Sequence, residues 1–392
     1  MKIAVFVDIS YSAGGGLQQT LGVLNILNKI KSENYSLHFC SSSPDISKFI
    51  HSKGIQNTLF NKKNFLNRIQ LKIFKTKFIS KVLNSINIIN PFENFLKKNN
   101  FNLVFFVDQS SLALYCDKTN FIFNVWQIDH RKLSFFPEYD LNTYLKTEKL
   151  YKFAAHRAYK ILIDCNKSKT EFSHFYNCPI NKIGIQPLLP NLVMSKPMEN
   201  IKLHNEQILD LNLNKTFFYP AQFWAHKNHV YLLDAMNCLI QNGVSDYKLI
   251  FTGRDRGNLK FIKNKIKILN LDKNIIIIEN LKDQEIIYLY MNCLSLILPT
   301  FVGSTSLPLF EAFHFKSNII YNSEILDDDL KRKVIPLNVN DPKNLFEIVK
   351  EFQKNKNFNF EKKEDAKKYI DEVLDEKKII DNFKKIFQEF FY

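Results

Sequence analysis

Residues 294–315 combine a short apolar run, a loop of small residues and an apolar helical pattern, and this combination limits the chain to few folds. The run at 294–298 ends at Pro299. A short apolar run closed by a turn residue is typical of a strand buried inside a parallel sheet. The loop that follows contains Gly303, Ser304, Thr305 and Ser306. The segment therefore predicts a strand–loop–helix unit of an α/β domain.

The start of the predicted helix is a candidate anion site. Pro308 stands where the first helical turn begins, a position that proline tolerates. Ligands of open α/β sheets bind at the carboxyl ends of the strands, and the N–H groups of a helix start attract anions there. We expect a phosphate on these amides, and the Glu311 carboxylate, placed in the first turn, beside a hydroxyl. Ordinary capping and dipole complementation, worth about 0.3–1 kcal/mol, explain the same residues without a ligand.

The alternation of strands and helices occurs in both halves of the chain. Predicted strands lie at 3–7, 103–107, 121–126 and 160–164, and again at 216–219, 248–252, 275–278 and 294–298. Two such series indicate two doubly wound domains that face one cleft. The boundary is marked by Pro187, Pro190 and Pro197. We expect an N-terminal domain at 1–195, a C-terminal domain at 196–370, and a terminal helix at 371–392 that packs back toward the N-terminal domain. The last stretch, 362–391, is expected to be helical.

Length, charge and cysteine spacing exclude several classes of protein. A chain of 392 residues exceeds one common core, in agreement with two domains. Its net charge of +15 favours acidic partners such as a nucleotide diphosphate, an anionic membrane or a nucleic acid. The six cysteines form no CxxC pair, which argues against a zinc site or a disulfide framework and favours a reducing compartment. Because no apolar run is long enough to span a membrane, the sequence predicts a cytoplasmic protein.

Three consecutive glycines separate the first predicted strand from a predicted helix at 17–30. The backbone at Gly14, Gly15 and Gly16 allows close approach by a phosphate or a sugar. The pattern is not GxGxxG, and no acidic residue follows at the distance expected for a ribose contact. A nicotinamide site is therefore not expected, and a flexible turn is the alternative.

Residues 61–85 are basic and apolar and contain no acidic residue. The Lys and Arg residues of this stretch are Lys62, Lys63, Arg68, Lys72, Lys75, Lys77 and Lys81. The pattern suits an amphipathic helix on an anionic membrane, so we expect a peripheral position on the inner face of the cell membrane. A solvated helix whose apolar side packs on the core is the alternative. No known nucleic-acid reader motif accompanies the charge, so a nucleic-acid partner is not expected.

Three further loops follow predicted strands and carry polar candidates. Asp129, His130 and Arg131 follow the strand at 121–126, and an acid, an imidazole and a guanidinium together suit a sugar phosphate, although a lone histidine is more often structural. The loop after the strand at 216–219 contains a run of His and Lys residues. The strand at 248–252 leads into a loop that begins with glycine and arginine.

The motifs together resemble those of retaining, nucleotide-sugar-dependent glycosyltransferases of family 4, which have the GT-B fold. The resemblance is densest in FFYPAQFWAHKNH, LIFTGRDRGN and IIIIENLKDQEIIYLYMNCLSLILPTFVGSTSLPLFEA. In the first half, GGGLQQ is similar to the first glycine loop of the family, and WQIDHRKLSFFPE to its acceptor-side histidine loop. The implied fold class is α/β, with two Rossmann-like doubly wound domains facing a central cleft.

The resemblance also implies an activity. A hexosyl group would pass from a nucleoside diphosphate sugar to a hydroxyl of a surface glycan or lipid-linked acceptor, with retention of configuration and without a metal or another cofactor. His130 would lie near the anomeric carbon, Lys227 would bind the diphosphate, and Glu311 would hold the ribose hydroxyls. The implied donor-binding residues are Gly15, Gly16, Gln222, Gly253, Arg254, Ser304, Thr305, Ser306 and Leu307.

Two positions depart from the family pattern. Gln222 stands where the family has an arginine, five residues before Lys227. Gly303 stands where the family has the first of two paired glutamates, of which the second matches Glu311. Two other hypotheses are therefore kept: a sugar-nucleotide epimerase or hydrolase on the same scaffold, and a non-catalytic protein that binds a nucleotide or a glycan.

Overall fold

The computed structural model describes residues 1–9, 14–74, 82–83, 85–86, 88–189, 192–195, 201, 203–355 and 358–391. Contacts divide the chain into two compact units. The first unit consists of Met1–Ile128, Leu141–Leu189 and Asp375–Tyr392, and the second consists of Asp129–Asp140 and Pro190–Leu374. The chain thus changes unit between Leu189 and Pro190, and the short segment Asp129–Asp140 belongs with the second unit.

The described residues form parallel sheets with helices between the strands. The strands, in chain order, are β1 Lys2–Val7, β2 Ser36–Ser41, β3 Thr58–Leu59, β4 Leu103–Phe106, β5 Asn120–Val125, β6 Lys160–Ile163, β7 Ile183–Ile185, β8 Thr216–Pro220, β9 Lys248–Thr252, β10 Ile275–Ile277, β11 Ser295–Leu298, β12 Ile319–Tyr321 and β13 Ile335–Pro336. The helices are α1 Gly15–Asn28, α2 Pro44–Ser52, α3 Phe65–Phe74, α4 Pro91–Lys98, α5 Asp129–Lys132, α6 Leu141–Arg157, α7 Asn166–Tyr176, α8 Glu206–Leu209, α9 His229–Gln241, α10 Leu259–Ile268, α11 Asp283–Asn292, α12 Leu307–His314, α13 Asp328–Lys331, α14 Lys343–Lys354, α15 Phe360–Val373 and α16 Glu376–Glu389.

The sheet of the first unit has the order β3-β2-β1-β4-β5-β6-β7 over the described residues. Its central strands are continuous apolar runs because helices cover both faces of a parallel sheet. All four residues of β4 are buried, and the last five of the six residues of β1 are buried. The polar residues Asp8 and Asp108 follow β1 and β4, which are neighbours in the sheet.

Helix α16 completes one face of this first sheet. Its buried residues Ile379, Phe383 and Phe387 join the hydrophobic cluster that contains Phe105 of β4. The ring centroids of Phe383 and Phe387 lie 5.8 Å and 6.0 Å from that of Phe105. The stretch 362–391, expected to be helical, contains most of α15 and all of α16. The two helices are separate because Asp375 starts α16 by accepting the backbone N–H of Lys378 at 2.8 Å.

The sheet of the second unit has the order β10-β9-β8-β11-β12-β13 over the described residues. All four residues of β11 are buried, as the apolar run at 294–298 predicts. Helix α9 packs against α14, and α12 packs against α15. The order of the strands brings β8 and β11 side by side, although three helices and two strands separate them in the sequence.

The basic stretch 61–85 is described only in part, since Lys75, Lys77 and Lys81 lie outside the described residues. Within α3, Leu71 and Phe74 are buried, as in a helix that packs on a core. Four other apolar side chains of the helix are exposed: Phe65, Leu66, Ile69 and Ile73. Among the described residues, no helix has both the length and the apolar character needed to cross a membrane.

Candidate functional site

The second sheet has a point where the direction of winding reverses. From β8 the chain proceeds to β9 and β10 on one side, whereas β11, β12 and β13 extend from the other side of β8. Open α/β sheets bind ligands outside the carboxyl ends of the strands at such a point. The loops that follow β8 and β11 are therefore the first candidates for a ligand site in this unit.

The loop after β8 presents Lys227 in a fixed backbone conformation. Residues Ala225–Lys227 form a single 3₁₀ turn, and the Tyr219 hydroxyl donates to the Lys227 carbonyl at 2.7 Å. Asn228 follows in the left-handed region with φ 56°, and its side chain accepts the Tyr231 N–H and caps α9. Asparagine tolerates this conformation better than most residues with a side chain.

Hydrogen bonds join this loop to the loop after β11. The Asn228 side chain donates to the Pro299 carbonyl at 3.2 Å, and the Phe301 N–H donates to the His226 carbonyl at 3.0 Å. The Asn322 side chain donates to the Thr300 carbonyl at 3.0 Å and thereby ties the second loop to β12. The two loops consequently form one hydrogen-bonded platform at the carboxyl ends of β8 and β11.

Lys227 lies in a partly buried and acidic environment. Burial lowers the pKa of its ammonium, whereas the carboxylates of Asp129 and Glu138 raise it. Both acids belong to the segment Asp129–Asp140, which lies with the second unit. The two carboxylates therefore favour the charged form of the Lys227 side chain against the effect of burial.

Glu138 also fixes the neighbouring histidine. Its Oε1 accepts the His226 backbone N–H at 3.1 Å and lies 2.9 Å from His226 Nδ1. Burial lowers the pKa of His226 to about 4, and the Lys227 charge acts in the same direction. The neutral ring therefore donates from Nδ1 to Glu138 near pH 7. Phe136 packs against both Phe301 and His226, with centroid distances of 5.7 Å and 6.3 Å.

His130 lies in the same segment as these acids. It belongs to the short helix α5, is buried, and has its ring centroid 6.4 Å from that of Tyr139. Asp129, the residue before it, acts electrostatically on Lys227 and on Tyr321 of β12. The structure thus brings the predicted histidine segment into the same unit and to the same loops as Lys227.

Gly303 adopts a backbone conformation that disfavours any side chain at this position. Its φ is 97°, where residues with a side chain are strained, and a Cβ atom would lie 3.0 Å from the Thr305 carbonyl oxygen. The Tyr321 hydroxyl lies 3.3 Å from the Gly303 carbonyl and 3.4 Å from Ser306 Oγ. A glutamate at this position would require a different path of the loop.

Helix α12 begins directly after this loop. Ser306 is its N-cap, and the Ser306 hydroxyl accepts the Leu309 N–H at 3.3 Å. The N–H of Leu307, the first residue of the helix, has no acceptor within the helix. Pro308, the second residue, has no N–H. Ser304 and Thr305 are both buried beside it. The start of the helix therefore offers fewer N–H groups to an anion than a full first turn of free amides would.

Glu311 lies in the second turn of α12, not in the first turn as expected, because the helix already begins at Leu307. It is only 6% exposed, and its Oε2 accepts the Tyr290 hydroxyl at 2.6 Å. Burial and the Glu311 carboxylate raise the pKa of Tyr290, so the phenol remains a donor. The carboxylate is thus held by α11 and meets solvent over a small area.

Sequence reasoning missed Arg256. Its Nε donates to Gln222 Oε1 at 3.2 Å, the Trp224 indole N–H donates to the same oxygen at 3.1 Å, and the guanidinium lies 5.5 Å from the centre of the Trp224 ring. A guanidinium from the next loop therefore stands beside the position where the family has an arginine. The predicted Arg254 is exposed and contributes its backbone, since its carbonyl accepts the Phe223 N–H at 3.0 Å.

Gly253 allows these two loops to touch. A Cβ atom on Gly253 would lie 2.4 Å from the Ala221 carbonyl oxygen and 2.8 Å from Gln222 Cα. The space beside Gly253 is therefore filled by the backbone of the β8 loop. Its requirement for glycine follows from this close approach, and a bound donor is not needed to explain it.

Gly15 and Gly16 belong to the first unit, where they begin α1 behind the N-cap Gly14. A Cβ atom on Gly16 would lie 2.9 Å from Cζ3 of Trp126 and 3.2 Å from Cδ1 of Ile9. Packing against Trp126 is thus one reason for a glycine at 16. Residues 10–13, which precede these glycines, lie outside the described residues.

In the described part of the chain, no group of three or more His, Cys, Asp or Glu residues is arranged to hold a metal ion.

The fold defined by these sheets is that of GT-B glycosyltransferases. The crystal structure of HepE from Anabaena in complex with UDP-glucose superposes with a TM-score of 0.71 at 12% identity, over 99% of this chain and 100% of that chain. Sucrose-phosphate synthase from Thermosynechococcus elongatus gives 0.72 at 10% identity, over 100% and 99%. TarM from S. aureus, in a complex that contains UDP, gives 0.66 at 10% identity, over 98% and 99%.

Residues 203–369 match the sequence model of the family described as "Glycosyl transferases group 1". The resemblance to this family and the fold class that the motifs imply are therefore confirmed. No curated protein matches the chain by sequence.

Replacing Glu311 by glutamine is expected to weaken nucleotide binding about tenfold with little loss of stability. The amide oxygen retains the hydrogen bond from Tyr290, whereas the charge that would hold ribose hydroxyls is lost. Calorimetric titration with UDP measures the effect, and Tyr290→Phe is the matched control because it removes only the buried partner. Wild-type affinity of Glu311→Gln would contradict a role for the carboxylate in ribose binding.

Proposed function

We propose that the chain transfers a hexosyl group from a UDP-sugar to a hydroxyl of a surface glycan or a lipid-linked acceptor, with retention of configuration. The observation that carries this proposal is the platform at β8 and β11, where Lys227 stands beside the loop that leads into α12. The crystal structures of HepE with UDP-glucose and of TarM with UDP support uracil as the base of the donor nucleotide.

The proposed chemistry requires stabilisation of a departing diphosphate. When the bond to the sugar breaks, negative charge grows on the leaving group, and preorganised donors are usually the largest source of catalysis. Lys227 would neutralise the diphosphate together with the amide of Leu307. Glu311 would hold the ribose, and His130 would lie near the anomeric carbon of the sugar. Asp129 and Glu138 favour the charged form of Lys227 that this role requires.

The best test is transfer itself. Purified protein is incubated with UDP-glucose or UDP-N-acetylglucosamine carrying a labelled sugar, with and without a lipid extract of cell envelopes. The expected result is that the labelled sugar becomes attached to a component of the lipid extract, and that no labelled product forms when the extract is left out. Label released as free sugar without acceptor would indicate a hydrolase, and conversion of the donor to an isomer would indicate an epimerase. A thermal-shift comparison of UDP, GDP, dTDP and ADP identifies the base, because a ligand at 100 times its Kd stabilises by about 2.7 kcal/mol.

A non-catalytic nucleotide-binding protein is the second candidate. The conformation of Gly303 favours it, because the carboxylate that the family places on the donor sugar has no equivalent at this position. Stabilisation by UDP without any transfer to envelope acceptors would support this candidate over the transferase.

We also propose that the protein lies on the inner face of the cell membrane. Helix α3 exposes Phe65, Leu66, Ile69 and Ile73, and it carries Arg68 and Lys72. Exposed apolar side chains flanked by cations bind at the surface of anionic bilayers. Flotation with anionic and neutral vesicles tests this, and Ile69→Ser with Ile73→Ser is expected to reduce binding.

Replacing Arg256 by alanine is expected to raise the KM for the donor about tenfold. The guanidinium beside Gln222 would supply the second cation for the diphosphate, and a hydrogen bond to a charged group contributes about 1.5–3 kcal/mol. Arg254→Ala is the matched control, since this side chain is exposed in the same loop. An equal change of KM in both variants would indicate a general charge effect and contradict the assignment to Arg256.

A further inference from the structure

The first unit contains a cavity of about 880 Å³ whose lining combines cations with apolar side chains. Three elements form its walls: α3, the 3₁₀ turn Ser111–Tyr115 and α6. The cations of the lining are Lys62, Arg68, Lys72, Lys146 and Lys149, and its carboxylate is Asp117. We call this space the basic cavity.

The cations of the basic cavity come from two different helices. Arg68 and Lys72 lie one turn apart on α3, and Lys146 and Lys149 lie one turn apart on α6. Lys62 is paired with Asp8. Among the described residues, no carboxylate lies within 4 Å of the charged groups of Arg68, Lys72 or Lys146. Like charges gathered around one cavity favour an anionic ligand within it.

Apolar side chains form another part of the lining of the basic cavity. Leu71, Leu112 and Leu150 are buried and line it, together with Tyr115 and Phe153. The Tyr115 hydroxyl donates to the Leu71 carbonyl at 2.9 Å and holds the 3₁₀ turn against α3. A ligand that fits such a lining carries a hydrocarbon chain next to its anionic group.

The position of the basic cavity links it to two features of the fold. Gln109 and Ser111, which line it, follow the carboxyl end of β4, the edge of a parallel sheet where ligands bind. Arg68 and Lys72 of its wall lie on the same helix as the exposed residues Phe65, Ile69 and Ile73. A bilayer that receives these side chains would bring its lipids to the cavity.

We propose that the basic cavity binds the phosphate and the first chain carbons of a lipid-linked phosphate. The cations of the lining select the phosphate, and its apolar side chains select the hydrocarbon chain of the lipid. This inference deepens the proposed function and rests on it in one respect. The hydroxyl that accepts the hexosyl group belongs to the lipid-linked molecule whose phosphate is bound in the basic cavity. The binding step itself is independent of transfer.

Calorimetric titration of the full chain with farnesyl diphosphate tests the proposal. Inorganic pyrophosphate and farnesol are titrated separately, because each carries one half of the recognised chemistry. The expected result is an affinity for farnesyl diphosphate about tenfold or more above that for either half, corresponding to about 1.4 kcal/mol. Tight binding of pyrophosphate alone would overturn the proposal in favour of a site for a free phosphate compound.

Substitutions of the lining residues show whether farnesyl diphosphate binds in the basic cavity. Lys72→Glu with Lys146→Glu changes one cation on each wall and is expected to lower the affinity for farnesyl diphosphate at least about tenfold. Lys260→Glu with Lys267→Glu on α10 makes the same change of net charge at exposed positions and is expected to leave the affinity unchanged. Arg68→Ala with Lys149→Ala is a second cavity variant in case the first does not fold. Equal affinities in the cavity and control variants would overturn the proposal.

Titration with UDP in the same samples separates the two proposals. Binding of UDP with no binding of farnesyl diphosphate would overturn the cavity proposal and leave the proposed function intact. Binding of farnesyl diphosphate without binding of UDP would support the cavity and contradict the proposed donor site.

Discussion

Replacing Lys227 by alanine is expected to lower the rate of sugar transfer about 100- to 1,000-fold. The substitution removes the ammonium that the 3₁₀ turn Ala225–Lys227 presents beside the loop leading into α12. Loss of one preorganised donor to a developing negative charge costs about 2.7–4 kcal/mol of transition-state stabilisation. Asp129 and Glu138 would also face the diphosphate without a cation between them. The quantity to measure is kcat at saturating UDP-sugar.

Two controls accompany this measurement. Lys227→Arg retains the charge in a different shape and is expected to keep part of the activity. Lys260→Ala removes an exposed lysine of α10 and is expected to have no effect. Melting temperatures show whether Lys227→Ala remains folded. If the folded Lys227→Ala variant has the kcat of the wild type, the diphosphate is not bound at this loop.

Replacing Gly253 by alanine is expected both to destabilise the second unit and to reduce transfer. The new Cβ would lie 2.4 Å from the Ala221 carbonyl oxygen, and backbone atoms yield less readily than a flexible side chain. Overpacking costs about 1–3 kcal/mol, and the positive φ of 152° adds strain. Separation of the two loops would move Gln222 and Arg256 apart. Chemical denaturation and the KM for the donor measure the two consequences.

Gly257 provides the matched control because it lies in the same loop. Its φ is 100°, and no atom lies within 4 Å of a Cβ atom placed there. Gly257→Ala therefore introduces backbone strain, about 1–2 kcal/mol, without a collision. We expect Gly253→Ala to be the more destabilising of the two and to be the one that raises the KM for the donor. Equal effects of both variants would show that the contact with Ala221 is unimportant.

The sequence predicts the fold where apolar runs are long enough to be distinctive. The strands β1, β4, β9 and β11 follow from such runs, and each is almost wholly buried, as expected in a parallel sheet covered on both faces. The strands β3 and β13 have only two residues each, which is too short for any periodicity. They form because a neighbouring strand already offers its backbone groups.

The site is less predictable because it depends on contacts between separate loops. Lys227 was identifiable from its motif, but its acidic neighbours Asp129 and Glu138 lie far from it in the sequence. Arg256 was missed because the spacing of two arginines in GRDRGN does not say which one turns toward Gln222. The burial of Glu311 depends on Tyr290 of another helix, and helical periodicity gives no information about that partner.

The order of the chain through the two units has a consequence for biosynthesis. Residues 190–374 are translated before α16, yet α16 supplies Phe383 and Phe387 to the core of the first unit. Until these residues leave the ribosome, the rings of Phe105 and Tyr35 lack neighbours that cover them in the finished protein. The nascent first unit thus carries an uncovered apolar surface while residues 190–374 are being made, and this surface is a target for chaperones.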